Sequence, residues 1–280
     1  MKGRVCAITG ASSGLGYETA LALARGGATV ALLCRSEERG ALARERIAAQ
    51  TGNEALHVVH CDHANLDTVR AAARELHERF AALHVLVNNA GLLIDGRRIT
   101  VDGIEETLQV NHLGAFLLTG LLRERLVSCA PARVITVSSL AHRAAVLDFD
   151  DLQSERCYDG WTAYARSKLA NVMFTYELAR RLEGTGVTAN ALHPGIVRTG
   201  FGHDNGLAMR AFMTLTQLPP LGISARRGAR TQVWLASAPE VEGVTGRYFA
   251  GRRARPSSAP SQDVGDQRRL WEASEALLGA

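Results

Sequence analysis

Short apolar runs of strand length alternate with helical patterns along the whole chain, and this alternation constrains the fold more than any other feature. The strand-length runs lie at Arg4–Thr9, Thr29–Cys34, Ala55–Cys61, Leu83–Val87, Arg133–Val137, Val187–Leu192 and Gly246–Ala250. The helical patterns lie at Tyr17–Arg25, Glu37–Gln50, Leu66–Phe80, Ile104–Val127, Ala163–Leu182, Ala225–Ala236 and Asp263–Leu278. Such alternation forms βαβ units with right-handed crossovers. We therefore predict an α/β fold, a doubly wound parallel sheet of about seven strands with helices on both faces.

The length of the chain fits a single domain. With 280 residues, of which 46% are hydrophobic, the chain can build one large core, and no linker or internal repeat divides it. The segment Gly200–Leu221 combines glycine with Phe, Met and Leu side chains. A long apolar segment inside a compact domain is typical of a lid or substrate-binding loop, although a helix packed on the core would have a similar composition.

A glycine-rich turn joins the first strand to the first helix. It contains Gly10, Ser12, Ser13, Gly14, Leu15 and Gly16. Glycines let the backbone approach a pyrophosphate, whose charge is met by N–H groups at a helix N-terminus. The spacing Gly-x3-Gly-x-Gly departs from the usual Gly-x-Gly-x-x-Gly and alone would also fit a simple tight turn. Because the turn stands between a strand and a helix, it predicts a dinucleotide site in a Rossmann-type fold.

The end of the second strand bears on the choice of dinucleotide. Folds that bind NAD place an acid there for the ribose 2′-hydroxyl, whereas this chain has Cys34 followed by Arg35. A guanidinium at this place suits a 2′-phosphate, so Arg35 predicts NADP as the cofactor, with NADPH preferred over NADH. A surface arginine at a strand end is the alternative.

Tyr164 and Lys168 stand four residues apart in a helical segment and therefore project from one face. An ammonium beside a phenol stabilises the tyrosinate and lowers the pKa of the tyrosine, which favours proton exchange with an alcohol or ketone. The spacing alone also fits a solvated surface pair. The composition favours a function, because the chain has 30 Arg but only two Lys, Lys2 and Lys168. A compact ammonium and a guanidinium are not interchangeable in a tight site.

Two further polar features fall where function is expected. Ser138 and Ser139 follow the fifth strand, and open α/β sheets place their ligands at the carboxyl ends of strands. Asn111 lies in a mostly apolar helical stretch, and a buried amide must find hydrogen-bond partners. Neighbouring backbone is the simplest partner for it.

Several classes of function are disfavoured by composition. The five cysteines, at positions 6, 34, 61, 129 and 157, are scattered, and neither they nor the stretch His60–His63 has the spacing of a zinc site, so we predict no metal. The basic cluster at 252–255 lacks interleaved aromatic residues, so we predict no nucleic acid partner. The first strand begins within four residues and no apolar run reaches about 18 residues. We therefore expect no signal peptide, no membrane span and a cytoplasmic protein.

Over essentially its whole length the chain resembles the short-chain dehydrogenase/reductase family. The motifs that carry the resemblance stand in the family's order: Thr9–Gly16, Asn88–Gly91, Asn111, Ser138–Ser139, Tyr164–Lys168 and Pro194–Gly195. A finer resemblance is to the branch that contains retinol dehydrogenases and protochlorophyllide reductases. It rests on Asn111–Gly114, on the segment Asp148–Trp161, and on Gly246–Phe249 with Pro256–Ser258. Members of that branch often carry an N-terminal membrane anchor, which we do not expect in this protein.

The resemblance implies a catalytic set of Asn111, Ser139, Tyr164 and Lys168. In this set Tyr164 is the general acid in reduction and the base in oxidation. Lys168 lowers the pKa of Tyr164 and holds the nicotinamide ribose, while Ser139 binds the substrate oxygen. Asn111 disturbs its helix locally and holds a water that links Lys168 to solvent.

The resemblance also implies the cofactor contacts. Asp62 would contact the adenine, Asn88–Gly91 the adjacent ribose, and Thr199 the pyrophosphate. The full predicted cofactor set adds Arg35, His63, Ala90, Pro194, Gly195, Ile196, Tyr164 and Lys168 to the glycine turn. The family often forms homodimers or homotetramers.

Two functions follow from these features. The first is an NADP-dependent oxidoreductase that transfers a hydride between nicotinamide and a lipophilic carbonyl or alcohol, with Gly200–Leu221 closing over the substrate. The second is a non-catalytic regulator that senses a dinucleotide, since a fold does not fix a function. The presence of Ser139, Tyr164, Lys168 and Asn111 together favours the enzyme, because a sensor has no chemical need for them.

Overall fold

The computed structural model describes residues 1–198 and 222–279. Its main sheet has eight strands in the order β10-β9-β6-β5-β4-β1-β2-β3. The strands are β1 Val5–Thr9, β2 Thr29–Cys34, β3 Leu56–His60, β4 Val85–Asn88, β5 Ala132–Val137, β6 Val187–His193, β9 Arg247–Ala250 and β10 Arg253–Ala254. Two short strands, β7 Val197–Arg198 and β8 Ile223–Ser224, pair separately. The chain thus crosses over between β3 and β4, where the strand order reverses.

Helices cover both faces of the main sheet. They are α1 Gly14–Arg25, α2 Glu37–Thr51, α3 Leu66–Arg79, α4 Glu106–Leu108, α5 Gly114–Ser128, α6 Gly160–Arg181, α7 Ala225–Gly228, α8 Arg230–Ser237 and α9 Val264–Leu278. Successive residues of β1 face opposite cores: Ala7 packs with residues of α3, α5 and α6, whereas Cys6 and Ile8 pack with residues of α1 and α8. This period of two is what buries a parallel sheet on both faces.

The predicted fold class is confirmed. The seven predicted strands are the seven that pair in parallel within the main sheet. The eighth, β10, is antiparallel to β9 and lies in a stretch rich in Arg, Ser and Pro. Two residues are too few to show a strand period, so this edge strand could not be predicted from the sequence.

Several helices differ from their predicted bounds. The first begins at Gly14 rather than Tyr17, and the helix expected at Ala225–Ala236 is divided into α7 and α8. The helix expected at Ile104–Val127 begins at Glu106 and is interrupted by a π-helical turn at Gln109–Leu113. The helix expected from Ala163 begins at Gly160, where the Asp159 carboxylate caps it by accepting from the Thr162 N–H at 2.7 Å. The predicted substrate loop, Gly200–Leu221, lies outside the described residues.

Candidate active site

The predicted catalytic residues come together where β4 and β5 end. Ser139 follows β5, and its hydroxyl lies close enough to the Tyr164 phenol of α6 to lower the pKa of Tyr164 as a hydrogen-bond donor. The Ser139 oxygen also accepts a hydrogen bond from the Ala141 N–H at 3.2 Å. Because an N–H occupies a lone pair of that oxygen, the hydroxyl proton is left for Tyr164 or for a substrate oxygen. The neighbouring Ser138 instead donates to the Lys168 carbonyl at 2.7 Å and so ties α6 to β5.

Lys168 lies one turn beyond Tyr164 on α6. Its ammonium is 5.6 Å from the centre of the Tyr164 ring and donates to the Val137 carbonyl at 3.3 Å. A methyl group on Gly91 would come within 3.0 Å of Nζ and within 3.1 Å of Asn111 Oδ1. Gly91, Lys168 and Asn111 therefore meet at one point, where only a glycine leaves room.

Burial controls the pKa values of this pair. It raises the pKa of Tyr164 to about 12, against which the Ser139 hydrogen bond lowers it. It lowers the pKa of Lys168 to about 8, because the low-dielectric surroundings disfavour the charged form. Lys168 is only 3% exposed. The sequence predicts a lowered Tyr164 pKa, and burial opposes that lowering.

Asn111 lies in the middle of the π-helical turn, as the resemblance implies for a residue that disturbs its helix. Its Oδ1 accepts from the Leu92 N–H at 2.7 Å, and its Nδ2 donates to the Leu92 carbonyl and to Ser167 Oγ, both at 2.9 Å. Two of these partners are backbone groups of Leu92, so the amide is satisfied largely by backbone, as the simpler interpretation expects. That backbone neighbours Asn111 in space and lies 19 residues away in sequence. The amide joins the loop after β4 to α6.

The glycine turn can accommodate a pyrophosphate. Gly10 and Gly14 have φ of +66° and +58°, and a Cβ on Gly16 would lie 2.3 Å from the Gly10 carbonyl oxygen. The N-terminus of α1 has no side-chain cap from Ser13 and no acidic residue in its first turn. Its first N–H groups have no intrahelical acceptor and no carboxylate competes for them, so the turn fits the phosphates of NAD(P).

The end of β2 carries no acid. The Cys34 thiol is buried and hydrogen-bonded to Ser12, and burial raises its pKa to about 11, so it is neutral. Arg35 is exposed beside it, and Arg39, on the first turns of α2, also acts electrostatically on the thiol. This edge of the sheet carries arginines and a neutral thiol, so it has no negative charge that would repel a 2′-phosphate.

The other predicted cofactor residues differ in their environment. Asp62 is partly buried and its carboxylate accepts from the Ala64 N–H at 3.0 Å, which shapes the turn after β3. His63 is 4% exposed, with Nδ1 3.0 Å from the Val110 carbonyl oxygen. Asn88 is also buried, and its amide donates to Thr119 Oγ1 at 2.9 Å. The side chains of His63 and Asn88 therefore brace the π-helical turn and α5.

The remaining predicted residues follow β6. Gly195 has a φ of +91°, and its N–H donates to His193 Nδ1 at 3.1 Å. Ile196 is 45% exposed, and its carbonyl accepts from the Ile223 N–H at 2.8 Å, which places Pro194–Ile196 beside β8. Thr199 lies outside the described residues.

Two residues hold the site together in ways that the sequence did not predict. Asn89 Nδ2 donates to the Thr9 carbonyl at 2.8 Å, and the N–H groups of Asn89 and Ala90 donate to Thr9 Oγ1, each at 2.9 Å. Asn89 thereby fixes the turn after β4 against the end of β1. Gln232 of α8 donates to Asn89 Oδ1 at 3.4 Å. Asn89 lies within the predicted Asn88–Gly91 motif, whereas nothing local marks Gln232.

The comparisons with known proteins agree with this geometry. The family model described as short chain dehydrogenase matches residues 4–209. The chain belongs to the short-chain dehydrogenase family. Among curated relatives, human retinol dehydrogenase 14 is 44% identical, covering 100% of this chain and 87% of the relative. Human retinol dehydrogenase 13 is 41% identical, covering 99% of this chain and 85% of the relative.

Solved structures extend the likeness to the fold. An uncharacterised protein from Mycobacterium paratuberculosis has a TM-score of 0.79 at 34% identity, covering 100% of this chain and 94% of its own. A short chain dehydrogenase from Escherichia coli, solved as a complex with NADPH, has a TM-score of 0.72 at 26% identity, covering 90% of this chain and 98% of its own.

Membership of this family makes the chain an NAD(P)-dependent oxidoreductase that acts on a CH–OH or C=O group. The enzyme is thus confirmed over the non-catalytic regulator, which none of the named relatives supports. Among the described residues, no helix is both long and apolar enough to cross a membrane.

Proposed function

We propose that the protein is an NADP-dependent reductase or dehydrogenase of lipophilic carbonyls and alcohols, with Tyr164 as general acid and base. The observation that carries this proposal is the placement of the Ser139 hydroxyl beside the Tyr164 phenol, with the Ser139 oxygen fixed by the Ala141 N–H and Lys168 Nζ 5.6 Å from the centre of the Tyr164 ring. Two O–H groups then converge on the place where a substrate oxygen would bind, as proton transfer to that oxygen requires.

In the reducing direction, a nicotinamide cofactor held by the glycine turn and Lys168 would supply the hydride for the carbonyl carbon. Tyr164 gives its phenolic proton to the carbonyl oxygen as the C=O π bond breaks, which leaves an alcohol and a tyrosinate. Ser139 donates a hydrogen bond to that oxygen while negative charge develops on it. In oxidation the tyrosinate removes the hydroxyl proton.

Lys168 and Asn111 serve the return of the proton to Tyr164. Lys168 would hold the ribose hydroxyls with its ammonium and stabilise the tyrosinate, which offsets the effect of burial on the Tyr164 pKa. Asn111, with both amide atoms engaged 2.7–2.9 Å from their partners, keeps the π-helical turn open so that a water can link Lys168 to solvent. Because a pKa of about 8 leaves Lys168 largely protonated near neutral pH, it can pass a proton on.

Exposed apolar side chains beside the site support a lipophilic substrate. Leu140, next to Ser139, is 54% exposed, and Trp161 is 38% exposed with its ring 5.9 Å from that of Tyr164. Large exposed hydrophobic groups beside polar catalytic atoms are typical of a pocket for an apolar ligand. Two of the relatives are retinol dehydrogenases, and retinol belongs to the same class of substrate. A cytoplasmic location and assembly into homodimers or homotetramers stay predictions.

A series of straight-chain aldehydes tests the substrate class. We expect kcat/KM with NADPH to rise along the series, because each buried CH₂ contributes about 0.8 kcal/mol, or about fourfold, until the pocket is full. The same series with ω-carboxylated aldehydes is the control, since a terminal charge should cancel the gain. A preference for short or charged aldehydes would contradict the proposal.

Tyr164→Phe tests the general acid. The change removes only the phenolic oxygen, so we expect turnover to fall about 10² to 10⁴-fold. The Kd for NADPH should stay within about twofold of wild type, which is the usual scatter in the contribution of a single hydrogen bond. Fluorescence titration and single-turnover kinetics measure the two quantities. A variant that kept more than a tenth of the wild-type rate would exclude Tyr164 from the chemistry.

A further inference from the structure

A buried histidine lies directly behind Ser139. His142 is in the short 3₁₀ helix Leu140–Ala144 that Ser139 caps, and its side chain is 0% exposed. Its Nδ1 lies 2.6 Å from the Ser139 carbonyl oxygen, and its Nε2 lies 3.2 Å from the backbone nitrogen of Ser258. Neither contact belongs to the proposed proton chemistry, and nothing in the sequence pattern marked this residue.

The two partners fix the protonation state of the ring. A carbonyl oxygen can only accept, so Nδ1 must carry the proton; a backbone N–H can only donate, so Nε2 must offer its lone pair. Only the neutral Nδ1–H tautomer satisfies both partners. Burial also lowers the pKa of His142, which keeps the ring neutral, although the Ser139 contact opposes that effect.

The segment on the far side of His142 is firmly held. Ser257 and Ser258 are 5% and 6% exposed, and Ser257 Oγ is 2.8 Å from Tyr176 Oη of α6. Arg143 donates to the Pro256 carbonyl. Tyr248 of β9 packs its ring 4.9 Å from that of His142. The ring thus rests on a rigid wall formed by α6, β9 and the segment Pro256–Ser258.

We propose that His142 is a positioning residue for Ser139. Its Nδ1–H holds the Ser139 carbonyl, so that the Ser139 hydroxyl points at Tyr164 and at the substrate oxygen, and the Ser258 N–H selects the tautomer that carries this proton. This inference rests on the proposed role of Ser139. The Ser139 side chain has only one torsion between backbone and hydroxyl, so a shift of its backbone moves the oxygen by a similar amount. Misplacement by about 1 Å can cost about 10²-fold in rate.

Three substitutions separate the two hydrogen bonds. An asparagine carries its amide N–H near the place of Nδ1 and keeps the donor to Ser139, whereas a glutamine carries its amide oxygen near the place of Nε2 and keeps the acceptor for Ser258. His142→Leu removes both. With NADPH and decanal as the probe, we expect His142→Leu and His142→Gln to lower kcat about tenfold or more, and His142→Asn to recover most of that loss.

Urea unfolding and cofactor binding provide the controls. Asn and Gln each lose one hydrogen bond, so both should lose about 1 kcal/mol of unfolding free energy, while the NADPH Kd of all three variants stays near wild type. If His142 had only a structural role, kcat would fall equally in His142→Asn and His142→Gln. Ser258→Ala, which keeps the backbone N–H, should keep the wild-type kcat. Equal kcat in the Asn and Gln variants, or a wild-type kcat in His142→Leu, would overturn the assignment.

Nuclear magnetic resonance tests the tautomer without any substrate. In the full chain labelled with ¹⁵N-histidine, the signal that disappears in His142→Asn should show a protonated Nδ1 and an unprotonated Nε2 near pH 7. A protonated Nε2 would overturn the inference even if the enzyme reduced decanal well. Conversely, if this tautomer is present but the enzyme does not reduce decanal, the proposed substrate class is contradicted. The inference that His142 positions Ser139 is then still supported.

Discussion

At the scale of single residues, size and burial decide which side chains the site tolerates. Lys168 is one of only two lysines beside 30 arginines, and its Nζ lies between the Val137 carbonyl and Gly91. A guanidinium is wider than an ammonium and cannot be deprotonated when buried. The composition of the chain therefore indicated a tight, buried cation site before any distance was known.

Cofactor choice also depends on single residues. Cys34 is neutral and Arg35 is exposed, so we expect NADPH to bind about 10- to 150-fold more tightly than NADH, the equivalent of one hydrogen bond to a charged group. Arg35→Ala should remove most of this preference, and Cys34→Asp should reverse it by placing like charges together. Titration of both cofactors measures the two Kd values. Arg39→Ala is the matched control for the loss of a nearby positive charge. Equal affinities of the wild type for NADPH and NADH would show that Arg35 is only a surface cation.

At the scale of elements, close contacts between α6 and the loop after β4 set the catalytic geometry. Gly160, the first residue of α6, has so little space that an added Cβ would lie 2.2 Å from the Ile94 carbonyl oxygen and 2.9 Å from Asp95 Cα. The same loop is bonded to Asn111 through Leu92. The position of Tyr164, one turn into α6, thus depends on a glycine contact.

Gly160→Ala should disturb both stability and catalysis. We expect a loss of about 1–3 kcal/mol, typical of overpacking, together with a fall in kcat because α6 or the loop must move. The control is Gly120→Ala on the exposed side of α5, where no atom lies within 4 Å of an added Cβ. Since alanine favours a helix, Gly120→Ala should gain about 0.5–1 kcal/mol. Urea unfolding and kcat are measured on both variants. If Gly160→Ala changed neither stability nor kcat, the close contact of Gly160 with the loop after β4 would be contradicted.

At the scale of the whole molecule, buried histidines make stability depend on pH. Burial lowers the pKa of His112 and of His193 to about 4, and it also lowers the pKa values of His63 and His142. The unfolded chain, with pKa values near 6.5, binds more protons than the folded chain between pH 4 and 6.5. Stability is therefore full above about pH 6.5 and is lost as the pH falls toward 4.

The contribution of His112 can be measured directly. Its ring is 1% exposed and its Nε2 is 2.9 Å from Ser274 Oγ of α9. A pKa of about 4 against 6.5 corresponds to about 2 kcal/mol lost on going from pH 7 to about pH 5. Urea unfolding at both pH values measures this loss of unfolding free energy. Between pH 7 and pH 5, His112→Asn should lose about 2 kcal/mol less than wild type. Parallel losses in the two proteins would show that His112 does not govern the pH dependence.

The sequence by itself determined the strand and helix alternation and the seven parallel strands of the main sheet, and it predicted that Asn111, Ser139, Tyr164 and Lys168 belong to one site. These are set by local periodicity and by short motifs, in which the spacing of Tyr164 and Lys168 or of the glycines already implies geometry. Only the tertiary structure decided the antiparallel edge strand β10, the start of α6 at Gly160 and the partners of Asn111 and His142. Ser258 is 116 residues from His142, and the partners of the Asn111 amide lie 19 and 56 residues away. Contacts at such separations depend on how layers pack, and packing leaves no periodic trace in a single sequence.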